Sequence, residues 1–157
     1  MSSHFQVFVR GVSGGSDDDW FRAKSAPESE LPELSDGQKD VARRMGIPEQ
    51  EYARGVLVNQ YSEERQLHRG QKLGEHIEKI LSGVGPSYHL EALAREGRKE
   101  RWVARIVMPD KVENVAISFE VADDVVDSAT IQDIERLKRI ILLSVGRPDL
   151  LNPNALS

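Results

Sequence analysis

Glu49–Leu81 is the stretch that most constrains what this chain can fold into. It contains no proline, and Tyr52, Val56 and Leu57 recur at helical spacing. Leu67, Leu73, Ile77, Ile80 and Leu81 follow in looser register, with Glu63, Glu64, Arg65, Lys72, Glu75 and Lys79 spread around them. That is the pattern of an amphipathic helix. At ~1.5 Å per residue such a helix runs roughly 45–50 Å, longer than a domain of this size needs. Gly55, Gly70 and Gly74 are its weak points, because each glycine costs about 1 kcal/mol relative to alanine inside a helix. The reading therefore predicts a break or a close helix contact near Gly70–Gly74, a spacing that lets two backbones approach. Gly83, Gly85 and Pro86 end the helix.

Composition narrows the function classes. The chain has 157 residues, enough for one domain with a proper core. Aromatic residues make up 6%, so that core must be mostly aliphatic. A net charge of −5 argues against a general nucleic-acid coat or a membrane-surface protein, while local basic patches stay open. There is no cysteine, which excludes disulfides, thiol catalysis and cysteine-ligated metal centres. No run approaches eighteen apolar residues, and Met1–Arg10 lacks the layout of a secretory leader. No membrane association is expected, and a cytoplasmic location is.

At the start of the chain, Phe5, Val7, Val9 and Val12 nearly alternate with polar residues, as in a short strand or a docking arm. Ser13–Leu34 is rich in Gly, Ser, Pro and acid, and reads as a flexible linker. Within it, Trp20 and Phe21 suggest an anchor onto the body or onto a partner. The acidic triplet Asp17, Asp18 and Asp19 lacks the glycine and distal glutamate of a calcium loop.

Ser35 is a good N-cap for a helix over Asp36–Met45, with Gln38 at the capping-box position. Gly46 and Ile47 make a tight turn, and Pro48 opens the next helix with Glu49 and Glu51 at its positive end. Residues 41–54, Val-Ala-Arg-Arg-Met-Gly-Ile-Pro-Glu-Gln-Glu-Tyr-Ala-Arg, resemble the helix-turn-helix motif of DNA-binding proteins. Ala42 would sit at the helix crossing, Gly46 in the turn, and Ile47 and Tyr52 as buried anchors. The resemblance implies DNA contact, with Arg43 and Arg44 as cations near the phosphates. It covers about twenty residues and departs from the motif at the base-reading positions. These hold Glu49, Gln50 and Glu51, and carboxylates are repelled by phosphates. The other reading is a helical corner built for packing or protein contact.

After Pro86 the period changes. Val115, Ile117, Phe119 and Val121 alternate with polar or small residues, which predicts a strand over Val115–Val121. Trp102, Ala104, Ile106 and Met108 mark a second strand. Tyr88–Arg95 fits a strand or a helix, and the strand is preferred because Glu96-Gly97-Arg98-Lys99 then closes a hairpin. A last helix starts near Asp127–Thr130, with Ser128 or Thr130 as cap, and buries Ile131, Ile134, Leu137, Ile141 and Val145. Ile140, Leu142 and Leu143 widen this stripe to nearly the whole circumference, so one side is expected to cover the sheet and the other to meet either the central helix or a second subunit.

No catalytic, cofactor or metal residue can be named. His68 and His76 lie about 12 Å apart along a helix axis, too far for one ion. No HExxH, ExxH, phosphate-loop or GxSxG pattern occurs. The strongest local feature is a basic tip at 95–105, where Arg95, Arg98, Lys99, Arg101 and Arg105 flank Trp102. Such a ribbon could lie on phosphates with Trp102 stacking, or be a solvated hairpin with Trp102 in the core.

The expected fold is α+β: an extended arm and flexible linker over 1–34, one domain over 35–147, and an extended tail over 148–157. The domain holds a helical corner, a long central helix, a small antiparallel sheet of about three strands and a closing helix. The expected function is a non-catalytic protein-interaction or adaptor protein, self-associating or bound to a protein partner. Trp20, Phe21, Ile140, Leu142 and Leu143 are its candidate interface. The alternative is an accessory nucleic-acid binder using Arg95, Arg98, Lys99, Arg101 and Arg105, helped by Arg43 and Arg44.

Overall fold

A computed structural model describes residues 5–10 and 17–151, with Arg10 described by its backbone alone. The elements are β1 (Gln6–Arg10), α1 (Asp17–Ser25), α2 (Asp36–Met45), α3 (Glu49–Val84), β2 (His89–Glu96), β3 (Arg101–Val107), β4 (Val112–Ser118), α4 (Phe119–Asp127) and α5 (Ile131–Ser144). The fold is α+β, with a sheet of four strands rather than about three. The chain divides into two compact units, Val12–Gln66 and the remainder, Met1–Gly11 with Leu67–Ser157. Helix α3 contributes residues to both units.

In the sheet unit the strand order is β1-β2-β3-β4. The expected docking arm is β1, which lies parallel to β2, with Val7 beside Leu93 and Phe8 beside Ala94. The other pairs are antiparallel, so the ambiguous segment after Pro86 is a strand. Alternation along the strands gives the sheet two distinct faces. One buries Phe5, Leu93, Trp102, Ala104, Ile106, Val115 and Ile117 against helical residues. Leu73, Ile77 and Leu81 of α3 are wholly buried there, at spacings of four residues.

Residues Gly70 and Gly74 do not break α3. They are where side chains from the sheet press against it. A Cβ on Gly70 would meet Val7, and would lie 2.8 Å from the Trp102 ring. A Cβ on Gly74 would collide with the Phe5 ring. The close contact predicted at this spacing is therefore helix to strand, not helix to helix.

Val115–Val121 is not a continuous strand. The chain leaves the sheet at Ser118, whose hydroxyl accepts from the Val121 N–H at 3.3 Å and caps α4. Val121, Ala122 and Val125 then face the core at helical spacing. A tight turn with Ala129 at φ 48° separates α4 from α5. Thr130, not Ser128, caps α5, in a reciprocal pair with Asp133. Arg69 of α3 bonds Asp123 and Asp127 of α4, both at 2.7 Å, and ties the two helices together. Pro148–Leu150 forms a short 3-10 turn, and the tail beyond residue 151, including Leu156, lies outside the described residues.

The helical unit corrects a second expectation. Asp17–Ser25, read as part of a flexible linker, is helix α1. Three aspartates suit its positive first turn. Its last turn is held by Arg54 of α3, whose guanidinium donates to the carbonyls of Ala23 at 2.6 Å and Ala26 at 3.0 Å. Asp19 is buried and accepts from Arg65 at 2.8 Å. Arg22 lies 3.7 Å above the Tyr61 ring. Composition signalled disorder, but these partners sit on α3, 28 or more residues away in sequence. The rest of the expected linker up to Ser16 lies outside the described residues.

The α3 glycines give a paired prediction. Gly55 has open space at its Cβ position, so Gly55→Ala should stabilise the protein by up to about 1 kcal/mol through helix propensity. Gly74→Ala gains the same propensity but overpacks Phe5, and a net loss of about 1–2 kcal/mol is expected. Urea unfolding of the two variants checks the opposite signs.

Acid sensitivity follows from the helix tie. Arg69 holds the Asp127 carboxyl below its ordinary value of 3.8, so stability from this contact is present above that value and lost as pH falls below it. Burial holds His76 below its ordinary 6.5, so its contribution is complete above that value and declines as pH falls towards its lowered one. Because Asp127 is well exposed, Arg69→Met should cost only about 1 kcal/mol at neutral pH. It should also flatten the acid limb below about pH 4 while leaving the histidine limb intact. Denaturant midpoints measured from pH 7 to pH 3 read both.

Candidate interaction surfaces

The basic tip is a hairpin of β2 and β3 joined by a short 3-10 turn over Gly97–Lys99, with Glu100 in the left-handed region. Its cations are mostly engaged. Glu96 pairs with Arg101 at 3.1 Å and with Lys99 at 3.9 Å, and Glu91 takes Arg105 at 2.6 Å. The Arg95 guanidinium sits 4.5 Å above the Phe119 ring. Arg98 is exposed and has no ion-pair partner among the described residues. Across residues 91–105, five cations meet three carboxylates, a local excess of +2 on a chain of net charge −5. Such a field is weak for phosphate binding. Trp102 is 3% exposed in the core, so its ring is not presented for base stacking.

The corner at 41–54 has the expected turn. Ala42 is fully buried, Gly46 is left-handed at φ 71°, and the Ile47 N–H returns to the Ala42 carbonyl at 3.0 Å. Ile47 and Tyr52, expected as buried anchors, are only half-buried. Arg43 pairs with Asp40 at 3.4 Å, and Arg44 is exposed. Glu49, Gln50 and Glu51 are exposed at the start of α3, and the Gln50 amide donates to Glu28.

The apolar candidates fall in different places. Phe21 is 73% exposed and Trp20 is also exposed. On α2, Val41 and Met45 are exposed four residues apart, hence on one helix face, with Met45 at 62%. On α5, Ile140 packs half-buried against the core and Leu143 is exposed. Leu142 is buried, at 1% exposed. Ile131, assigned to the core stripe, is instead exposed at the first turn of α5.

One surface was missed from sequence. The second face of the sheet carries Phe8, Ala92, Ala94, Val103, Val107, Val112 and Ala116, all exposed or half-buried. Phe8 is 41% exposed. The available signal was an aromatic residue at the off-stripe position of β1, between Val7 and Val9.

Of the histidines, His68 and His89 are exposed, His76 is half-buried, and His4 lies outside the described residues. Among the described residues no three His, Asp or Glu side chains converge as a metal set, and no helix is long and apolar enough to cross a membrane.

The position of Trp102 yields a direct test. Trp102→Ala should cost about 3–5 kcal/mol of stability, because it empties a core site. Thermal and urea unfolding measure that loss with no ligand present. No match to this chain was found among protein-family models, curated proteins or solved structures.

Proposed function

We propose that this chain is a non-catalytic protein-interaction module that recognises a partner through its helical unit. The supporting observation is the apolar balance of residues 12–66. Among the described residues this unit buries four large apolar side chains, Leu34, Leu57, Val58 and Tyr61, and exposes four, Trp20, Phe21, Val41 and Met45. A unit this small gains from burying every large apolar group it can, at roughly 1.5–3 kcal/mol for each full burial. Four more, Leu31, Ile47, Tyr52 and Val56, are half-buried, so a third of the unit's described large apolar side chains stand in water, which favours a contact surface. Trp, Phe and Met are also the residue types enriched in interface cores.

The alternative, nucleic-acid binding through the hairpin, has weaker support. Glu91 and Glu96 pair with three of its five cations.

The experiment compares wild type with a double variant, Phe21→Ser with Met45→Glu, as bait in quantitative affinity capture. Partners enriched by wild type should fall about tenfold or more with the variant, the loss of one or two hot-spot side chains. Equal capture by both would reject the helical unit as the recognition surface. A parallel low-salt gel shift with Arg98→Glu and Lys99→Glu should show no nucleic-acid binding to lose.

A further inference from the structure

The open face of the sheet has an internal order that points to a specific occupant. Strand register places Phe8 beside Ala94, Ala94 beside Val103, and Val103 beside Ala116. These four side chains form one row across all four strands, running large, small, medium, small. The next row on the same face holds Glu96 beside Arg101, already paired at 3.1 Å. On the other side lies the row Gln6, Ala92, Arg105 and Asn114. A solvated sheet face normally alternates to polar side chains. This one is apolar at its centre and carries mixed charge at its rim.

We propose that this face binds the same face of a second copy of the chain, forming a two-fold sheet-on-sheet dimer. Two sheets that pack face to face align their strands within about 30° at a separation of about 10 Å. A two-fold axis along the strands, midway between the sheets, lays β1 of one copy over β4 of the other and β2 over β3. Each cross-strand row then meets itself in reverse order. Phe8, the largest side chain in the row, falls over Ala116 of the second copy, where the surface has most room. Val103 falls over Ala94. In the adjacent row Glu96 falls over Arg101 of the second copy and Arg101 over its Glu96, so two ion pairs join as an alternating ring of four charges. Gln6 falls over Asn114, amide against amide. In the central row size, and in the row of Glu96 and Arg101 charge, are complementary to their own reversed order, as an isologous interface requires; in the third row Arg105 falls over Ala92 and keeps its own Glu91. A strongly acidic or basic partner has no such match among the described side chains, because Glu91, Glu96, Arg101 and Arg105 sum to zero.

The dimensions set the expected strength. Four strands at ~4.8 Å and seven residues at ~3.4 Å give a face of roughly 450 Å². Two such faces bury on the order of 1,000 Å², the range of weak, reversible complexes. A dissociation constant in the micromolar range is therefore expected. This surface shares no residue with the set Trp20, Phe21, Val41 and Met45, so the dimer and the partner-recognition reading are tested by different variants.

The test is sedimentation velocity on the full chain from about 1 µM to about 1 mM, spanning the expected range. Wild type should shift from monomer to dimer. Phe8→Ala and Ala116→Phe, each alone, should weaken the dimer about tenfold, the first by emptying the contact and the second by opposing two rings. Combining them exchanges large and small within the row and should restore dimerisation. Arg101→Glu should weaken it likewise, by opposing carboxylates across the axis, and Glu96→Arg with Arg101→Glu should restore it. A measurement needing no variant is dilution NMR, in which the amides of Phe8, Ala94, Val103 and Ala116 should shift while those of α2 stay fixed. The Phe21→Ser, Met45→Glu protein should dimerise as wild type does. A wild-type monomer at the highest concentration, single variants that leave the dimer unchanged, or exchanges that restore nothing would each overturn the proposal.

Discussion

The seating of Phe5, Val7 and Trp102 against the bare backbone of α3 at Gly70 and Gly74 is the contact on which the sheet unit depends. A helix presents a bulge of side chains to a sheet, and an aromatic ring from an edge strand cannot normally reach its axis. Two missing Cβ atoms one turn apart remove that bulge. The helix accepts the propensity cost of both glycines, about 2 kcal/mol together, because two aromatic residues and a valine fill the notch. Leu73, Ile77 and Leu81 continue the same face down to the core formed with β2, β3 and β4. The parallel strand β1 gains from this as well. It is a sheet edge five residues long, and Phe5 and Val7 pin it from the core side.

Long-range polar contacts play the corresponding part in the helical unit. Its core is thin, with Ala23, Ala26, Leu57, Val58 and Tyr61 as the buried cluster. Arg54, Arg65 and Arg22 fix α1 to α3 by a C-terminal cap, an ion pair on the buried Asp19 and a cation over an aromatic ring. These are directional contacts, and they order a segment whose apolar content is too low to order itself. They also leave the large apolar side chains of α1 and α2 unburied, which is what the interaction reading rests on.

How much was legible follows from the range of each interaction. Local signals read well: Ser35 with Gln38, the Gly46 turn, Thr130 as one of two caps, and the strand after Pro86 are set by residues within a few positions of one another. Gly70 and Gly74 were marked as a point of closeness, but their partner, a strand, comes from distant parts of the chain. The strand over Val115–Val121 failed because Ser118 starts a helix while the apolar pattern runs on: Ile117, Phe119 and Val121 suit either period over so short a window. Helix α1 was invisible because its partners Arg54 and Arg65 lie beyond any local window. Among the candidate surface residues, Phe21 and Leu143 are exposed, whereas Leu142 is buried. A helix apolar on most of its circumference does not reveal which face the core takes. Phe8 was overlooked because one aromatic in a five-residue strand carries no periodic signal.

The charge arrangement bears on how such a surface would act. Arginines dominate the polar contacts in both units, and nearly all of those contacts are internal: Arg69 to Asp123 and Asp127, Arg101 to Glu96, Arg105 to Glu91, Arg54 to backbone carbonyls. A guanidinium whose donors are already met by a carboxylate projects little field beyond a few ångströms. Long-range steering of a charged partner is therefore weak, and association falls to short-range shape and apolar contact. Under the proposed reading, specificity on the open sheet face comes from the order of large and small side chains in one row. The paired charges beside it act mainly against the wrong register, since a slip of one row along the strands sets Glu96 against Val103 and Arg101 against Ala94, each without its opposite charge.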